Sequence, residues 1–285
     1  MTTLLMLLLA MTPTMATPDA GHRPSMTGYP LEMTTGVPLL RVELTDGATA
    51  WFVVDTGASG TTVAADVAKR LALPAIGTVG VTTVDGQVDV ATVLIPALRL
   101  PGAAVAHRVV AAVHDLATVR RAAPRADGIL GQDVLAHYDY LLDLTRGRLT
   151  VGAFDPPSDG IGLPLSWSAG RPVVRVAGAS GSHALVLDSG ADVLVMEAGA
   201  SRDAVGRAGG QRGVAALETH VGSRAVEVEA HAAVRFAGVR LNDVRLVRLP
   251  REAWQLSPEV GLLPATYFSR VYVSARTGRA VVWQK

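Results

Sequence analysis

The sequence predicts a mostly β protein built as a tandem duplication of one unit. Three observations carry that expectation: short Val-rich runs closed by turn dipeptides, landmarks that recur in the same order after about 133 residues, and a balanced charge. With 285 residues, 49% hydrophobic and 18% charged, the chain has material for one large or two smaller cores and is not disordered. Its 26 Lys+Arg and 25 Asp+Glu leave a net charge of +1, which argues against a nucleic-acid partner. The absence of cysteine removes thiol nucleophiles, thiolate metal sites and disulfides together.

Taken in order, the chain begins with the apolar stretch Leu4 to Met11, followed by Pro13 and a small-residue site near Ala16. This is too short to span a bilayer and has the length of a secretory apolar segment, although no Lys or Arg precedes Leu4. The expectation is a signal peptide within residues 1–20 and an exported protein, periplasmic or extracellular, with a cytoplasmic location as the alternative. Without cysteine a lipid-anchored lipoprotein is excluded, and no stable membrane anchor is expected.

Strands are expected at Val37 to Leu44 before Asp46-Gly47, at Val79 to Val84 before Asp85-Gly86, and at Val244 to Leu249 before Pro250. Helical periodicity is confined to Val63 to Leu71 and the neighbourhood of Asp133 to His137, while Ala198 to Gly213 reads as loop or short helix.

The recurring landmarks divide the chain. Gly36-Val37-Pro38-Leu39-Leu40-Arg41-Val42 matches Gly170-Arg171-Pro172-Val173-Val174-Arg175-Val176, and Phe52-Val53-Val54-Asp55-Thr56-Gly57-Ala58 matches Leu185-Val186-Leu187-Asp188-Ser189-Gly190-Ala191 at an offset of 133 (188 − 55). Gly128-Ile129-Leu130-Gly131 then meets Gly261-Leu262-Leu263-Pro264, and Arg146-Gly147-Arg148 meets Thr277-Gly278-Arg279. Four landmarks in constant order imply a tandem duplication: a first lobe over 30–155, a linker over 156–163 and a second lobe over 164–285.

One Asp-Ser/Thr-Gly tripeptide is compatible with an ordinary turn aspartate. Two, each after an apolar run and at matching places in a duplicated unit, point to paired carboxylates, with glycine letting the turn close against the carboxyl group.

These residues resemble the aspartic proteases of the pepsin and retropepsin superfamily. The loops Asp55-Thr56-Gly57-Ala58 and Asp188-Ser189-Gly190-Ala191, each followed 73 residues later by glycine and an apolar pair, carry the likeness. The segment from Asp127 to Leu135 is similar to bacterial retropepsin-like chains. The resemblance implies the bilobal aspartic-protease fold, two β-barrel-like lobes related by a pseudo-twofold axis. It further implies an endopeptidase whose catalytic residues are Asp55 and Asp188, supported in their loops by Thr56, Gly57, Ser189 and Gly190. Ile129, Leu130 and Gly131, with Leu262 and Leu263, would brace those loops from behind. Alanine at Ala58 and Ala191, where pepsin-like chains have a hydroxyl residue, follows the retropepsin pattern; Pro264 departs from the expected glycine.

A flap over the cleft is expected from the hairpin around Thr83, Val84, Asp85, Gly86 and Gln87, receiving an extended peptide or protein substrate by strand addition. The matching region near Val214 to Val226 has no comparably clear turn. No cofactor or metal is called for, because the seven histidines are scattered without ligand spacing. Arg235, Arg240, Arg245, Arg248 and Arg251 read as a solvated strand face. Both halves of the dyad come from one chain, so a monomer suffices. The alternative is a non-catalytic peptide-binding module on the same scaffold.

Overall fold

The computed structural model describes residues 2–5, 17–18, 26–83, 86–100, 105–177, 181–205, 211–219, 222–236, 239–254 and 259–285. These residues form a mostly β protein with short helices. Strand Val37–Leu44 shows why: Arg41 and Glu43 are exposed while Leu40, Val42 and Leu44 are buried, the period of two that half-buried strands require.

In the first half, Val37–Leu44 pairs antiparallel with Thr49–Val54, which takes Gly128–Leu130 in parallel along its other edge. In the second half, Arg171–Ala177 pairs antiparallel with Ser182–Asp188, which takes Gly261–Pro264 in parallel. The registers correspond residue for residue, since Ile129 lies opposite Val53 and Leu262 opposite Val186. Each returning strand also pairs antiparallel with the strand after its aspartate, Thr62–Ala64 in one half and Leu194–Glu197 in the other.

A further antiparallel sheet draws on both halves, in the order 27–34, 148–152, 139–143, 268–274, 279–284, 161–168. At its centre Leu141 faces Tyr272, so the halves meet through matching strands. The largest buried cluster runs through both halves, from Leu39, Phe52 and Leu130 to Val174, Leu187 and Val271.

The helices Ala65–Arg70 and Gln132–Leu135 fall where periodicity placed them, and Ala198–Val205 is helical. Helix Ala117–Ala122 was not legible because it buries Val119 alone, and a single apolar contact leaves no period to read. Strand Ile161–Ser168 begins inside the stretch 156–163, and Asp159 is tied to Trp283 Nε1 and Arg270 Nη2 at 2.8 and 3.0 Å.

Strands Ala75–Thr83 and Gly86–Arg99 form the expected hairpin, with Thr83 opposite Gly86 and Thr82 opposite Gln87. Its turn residues Val84 and Asp85 lie outside the described residues, as do Leu4-to-Met11 residues beyond Leu5 and the site at Ala16. Strands Gln211–Thr219 and Gly222–Phe236 also make a hairpin, where no clear turn had been legible. Pairing of Gly222–Phe236 with Val239–Leu249 along its other edge supplies the partner that local turn chemistry does not advertise. Among the described residues, no helix is long and apolar enough to cross a membrane.

Candidate functional site

The apolar strands Thr49–Val54 and Ser182–Asp188 end at their aspartates in the heart of the molecule, where Asp55 and Asp188 are both fully buried. Asp55 Oδ1 accepts hydrogen bonds from the amides of Gly57 and Ala58 at 2.8 and 3.2 Å. Asp188 Oδ1 accepts one from the Gly190 amide at 2.7 Å. Each loop thus folds its own backbone donors around its own carboxyl group.

The loops are locked to each other by four reciprocal bonds. Thr56 Oγ1 donates to Leu187 O at 2.7 Å and accepts from the Ser189 amide at 2.9 Å; Ser189 Oγ donates to Val54 O at 2.7 Å and accepts from the Thr56 amide at 3.0 Å. All these groups are buried, so losing one leaves an unsatisfied partner in a dry interior.

Glycine is required here for close approach. A Cβ on Gly57 would stand 2.4 Å from Asp188 Cγ, and one on Gly190 would stand 2.7 Å from Asp55 Cγ. Each carboxyl group therefore packs on the glycine of the opposite loop. Ala58 and Ala191 are buried beside them, and apart from the facing aspartate no described residue gives a hydrogen bond to Asp55 Oδ2 or Asp188 Oδ2.

Burial raises both acids. Asp55 is pushed well above the usual carboxylate range by desolvation first and then by the charge of Asp188. Asp188 is raised by desolvation to about 6, against hydrogen bonding from Asp55, the Gly190 and Ala191 amides and the charge of Arg171. Two carboxyl groups in one dry site cannot both ionise cheaply, so the pair keeps one proton into the near-neutral range.

Residues 40–134 match the family model described as Aspartyl protease. Over that segment the chain is similar to aspartyl proteases. No curated protein matches the chain. The matched segment contains Asp55 with its whole loop, the hairpin, and the brace Ile129-Leu130-Gly131. The match supports a protease function in general terms.

Every predicted loop residue converges on the pair of aspartates. Gly131 backs onto the first loop so closely that a Cβ would meet Gly60 C and O at 2.5 Å. In the second half Val193 stands at the position of Gly60 and Pro264 at that of Gly131, and Pro264 lies opposite Asp188 in the parallel ladder. The departure at Pro264 thus leaves the brace intact. Thr83, Gly86 and Gln87 hold paired backbone positions near the hairpin tip.

Sequence reasoning missed several supports. Gln132 Nε2 donates to Thr56 O at 3.0 Å and to Tyr140 Oη at 2.9 Å. Thr61 Oγ1 donates to buried Asp133 at 2.7 Å. Burial pushes Asp133 up to about 7, opposed by the bond from Thr61. Gln132 and Asp133 stand directly after the brace, and polar residues opening an otherwise buried helix were the available signal. The arginine-rich strand differs from the expected solvated face. Arg245 pairs with Asp192 at 2.9 Å and Arg248 with Glu229 at 2.9 Å, because the neighbouring elements bring carboxylates over its face.

Proposed function

We propose that the protein is an aspartic endopeptidase that hydrolyses extended peptides with water activated between Asp55 and Asp188. The observation that carries this reading is the pair of buried carboxyl groups, each seated on the other's glycine, with no described side chain besides the facing aspartate bonded to either Oδ2. In the singly protonated pair, the ionised aspartate takes a proton from water as its oxygen attacks the scissile carbonyl carbon. The protonated aspartate gives its proton to the carbonyl oxygen. Collapse of the tetrahedral species breaks the C–N bond, with a proton delivered to the leaving nitrogen, and the dyad returns to one proton.

Both carboxyl groups are fully buried, so the reading requires that a peptide be admitted to them. The hairpin 75–99 is the element we assign as the flap, binding the substrate backbone by strand addition. Export after removal of residues 1–20 belongs to the same proposal, and N-terminal analysis of the protein recovered from cell fractions tests it.

The raised carboxyls set the pH window. The pair must shed one proton to supply the base and keep the other to supply the acid, and burial lifts these steps above the ordinary carboxylate range. Peptide-library cleavage by the purified protein should follow a bell with its optimum near neutrality, and Asp55→Asn should cleave nothing. A parent that binds peptides yet cleaves none between pH 3 and 8 is instead a binding module.

A further inference from the structure

The two halves set different side chains against their aspartates. Pairing ends at Leu39–Val53 in the first half and at Val173–Val186 in the second, and two residues beyond those last pairs come Val37 and Asp55 in the one half and Arg171 and Asp188 in the other. Val37 is a buried apolar residue, whereas Arg171 is only 2% exposed and its Nη2 lies 3.0 Å from Oε2 of Glu259, itself 1% exposed. The position matching Glu259 in the first half is Ala126, also buried. One side of the dyad therefore has a buried ion pair where the other has two apolar side chains. Such a pair contributes little net stability relative to apolar packing, so stability alone is a poor account of its presence on one side.

We infer that Arg171, held in place by Glu259, breaks the symmetry of the dyad, keeping Asp188 as the ionised partner and leaving the shared proton on Asp55. Arg171 acts through Asp188 and is a positioning residue. This rests on the dyad reading above and assigns its roles: Asp188 accepts the proton of the attacking water, and Asp55 donates its proton to the carbonyl oxygen.

The charges around the pair agree. Asp188 meets Asp55, the Gly190 and Ala191 amides and the positive charge of Arg171, and the charge of Asp188 in turn favours the charged form of Arg171. Asp55 meets the negative charge of Asp188, the Gly57 and Ala58 amides and, in the other direction, raises the proton affinity of the buried Tyr140 hydroxyl. Glu259 partners Arg171, and Asp133 stands behind the first loop on Thr61.

The test is a carboxyl-carbon NMR titration of the aspartates in the full chain, with Asp188→Asn as the assignment control, beside the pH profile of kcat/KM on a cleaved peptide. Arg171→Gln neutralises the cation, Arg171→Val with Glu259→Ala installs the apolar pair of the first half, and Arg171→Lys retains the charge. In both neutral variants the Asp188 midpoint and the acid limb should rise by about one pH unit, and Arg171→Lys should restore the parent profile. Should Arg171→Gln fail to fold, the double variant carries the test, because its apolar pair suits a buried site. An unmoved Asp188 midpoint in a folded neutral variant overturns the inference, as does a shift in Arg171→Lys equal to that in Arg171→Gln. Because the titration needs no turnover, a shifted midpoint in a protein that cleaves nothing sinks the protease reading and leaves the charge assignment standing.

Discussion

In the first half Gln132 reaches back to the carbonyl of Thr56 and Thr61 bonds Asp133, whereas the matching positions of the second half hold Ala265, Leu194 and Thr266. There Arg245 Nη2 donates to Asp192 O at 3.1 Å and to its Oδ2 at 2.9 Å, Tyr267 Oη accepts from the Leu194 amide at 3.3 Å, and Thr266 Oγ1 lies 3.4 Å from Ala191 O. The first loop is tied by a buried amide and hydroxyl just beyond its brace and the second by an arginine and a tyrosine, yet the four bonds that join the loops are symmetric. The difference separates two kinds of constraint. Groups that form the pair of carboxyls are the same on both sides, and groups that hold each loop from behind have diverged.

The sharpest way to break that comparison is at the aspartates themselves. Asp55→Asn and Asp188→Asn should each lower kcat/KM by at least about 10²–10⁴-fold in peptide cleavage, because either change removes the acid–base pair. A variant retaining parental turnover in one half only would show that the halves are not chemically joined.

The next effect separates the halves by pH. Asp133 binds its proton more tightly folded than unfolded, since burial lifts it from 3.8 to about 7. Its contribution is complete below the unfolded value and is lost as pH rises through about 7, so stability should fall from mild acid to neutrality. Urea unfolding at pH 4 and pH 8 should differ by on the order of 3 kcal/mol from this group, and Asp133→Asn should flatten the dependence. An unchanged slope in that variant would leave the pH dependence to the dyad alone.

Thr56→Val and Ser189→Ala each remove two of the four joining bonds, and each should cost about 1–3 kcal/mol in unfolding free energy. Equal losses support the symmetry of the lock; a much smaller loss at one residue would place the strain on the other loop. The smallest effect is expected behind the loops. Gln132→Leu should cost about 1–2 kcal/mol by leaving the Thr56 carbonyl without this donor, while Thr266→Val should cost about 0.5 kcal/mol or less, read by thermal unfolding.

Much of the molecule is legible along the chain. The alternation in Val37–Leu44 and the paired Asp-Thr-Gly and Asp-Ser-Gly runs are local patterns, and local patterns survive in a linear reading. The hairpin at 211–236 was hidden because its order comes from a neighbouring strand more than from its own turn. Gln132 was hidden for a related reason, since its partners Thr56 and Tyr140 lie 76 and 8 residues away and nothing nearby calls for an amide.

The sequence by itself determined the strand-rich character, the two matched halves and the identity of the two aspartates, because each is encoded in short runs repeated at a nearly constant spacing. Only the tertiary structure decided that each carboxyl group rests on the opposite glycine and that a buried Arg171–Glu259 pair lies where the first half has Val37 and Ala126. Those facts depend on register and on burial between segments distant in sequence. Register and burial also set the proton affinities of carboxyl groups that look alike when read along the chain.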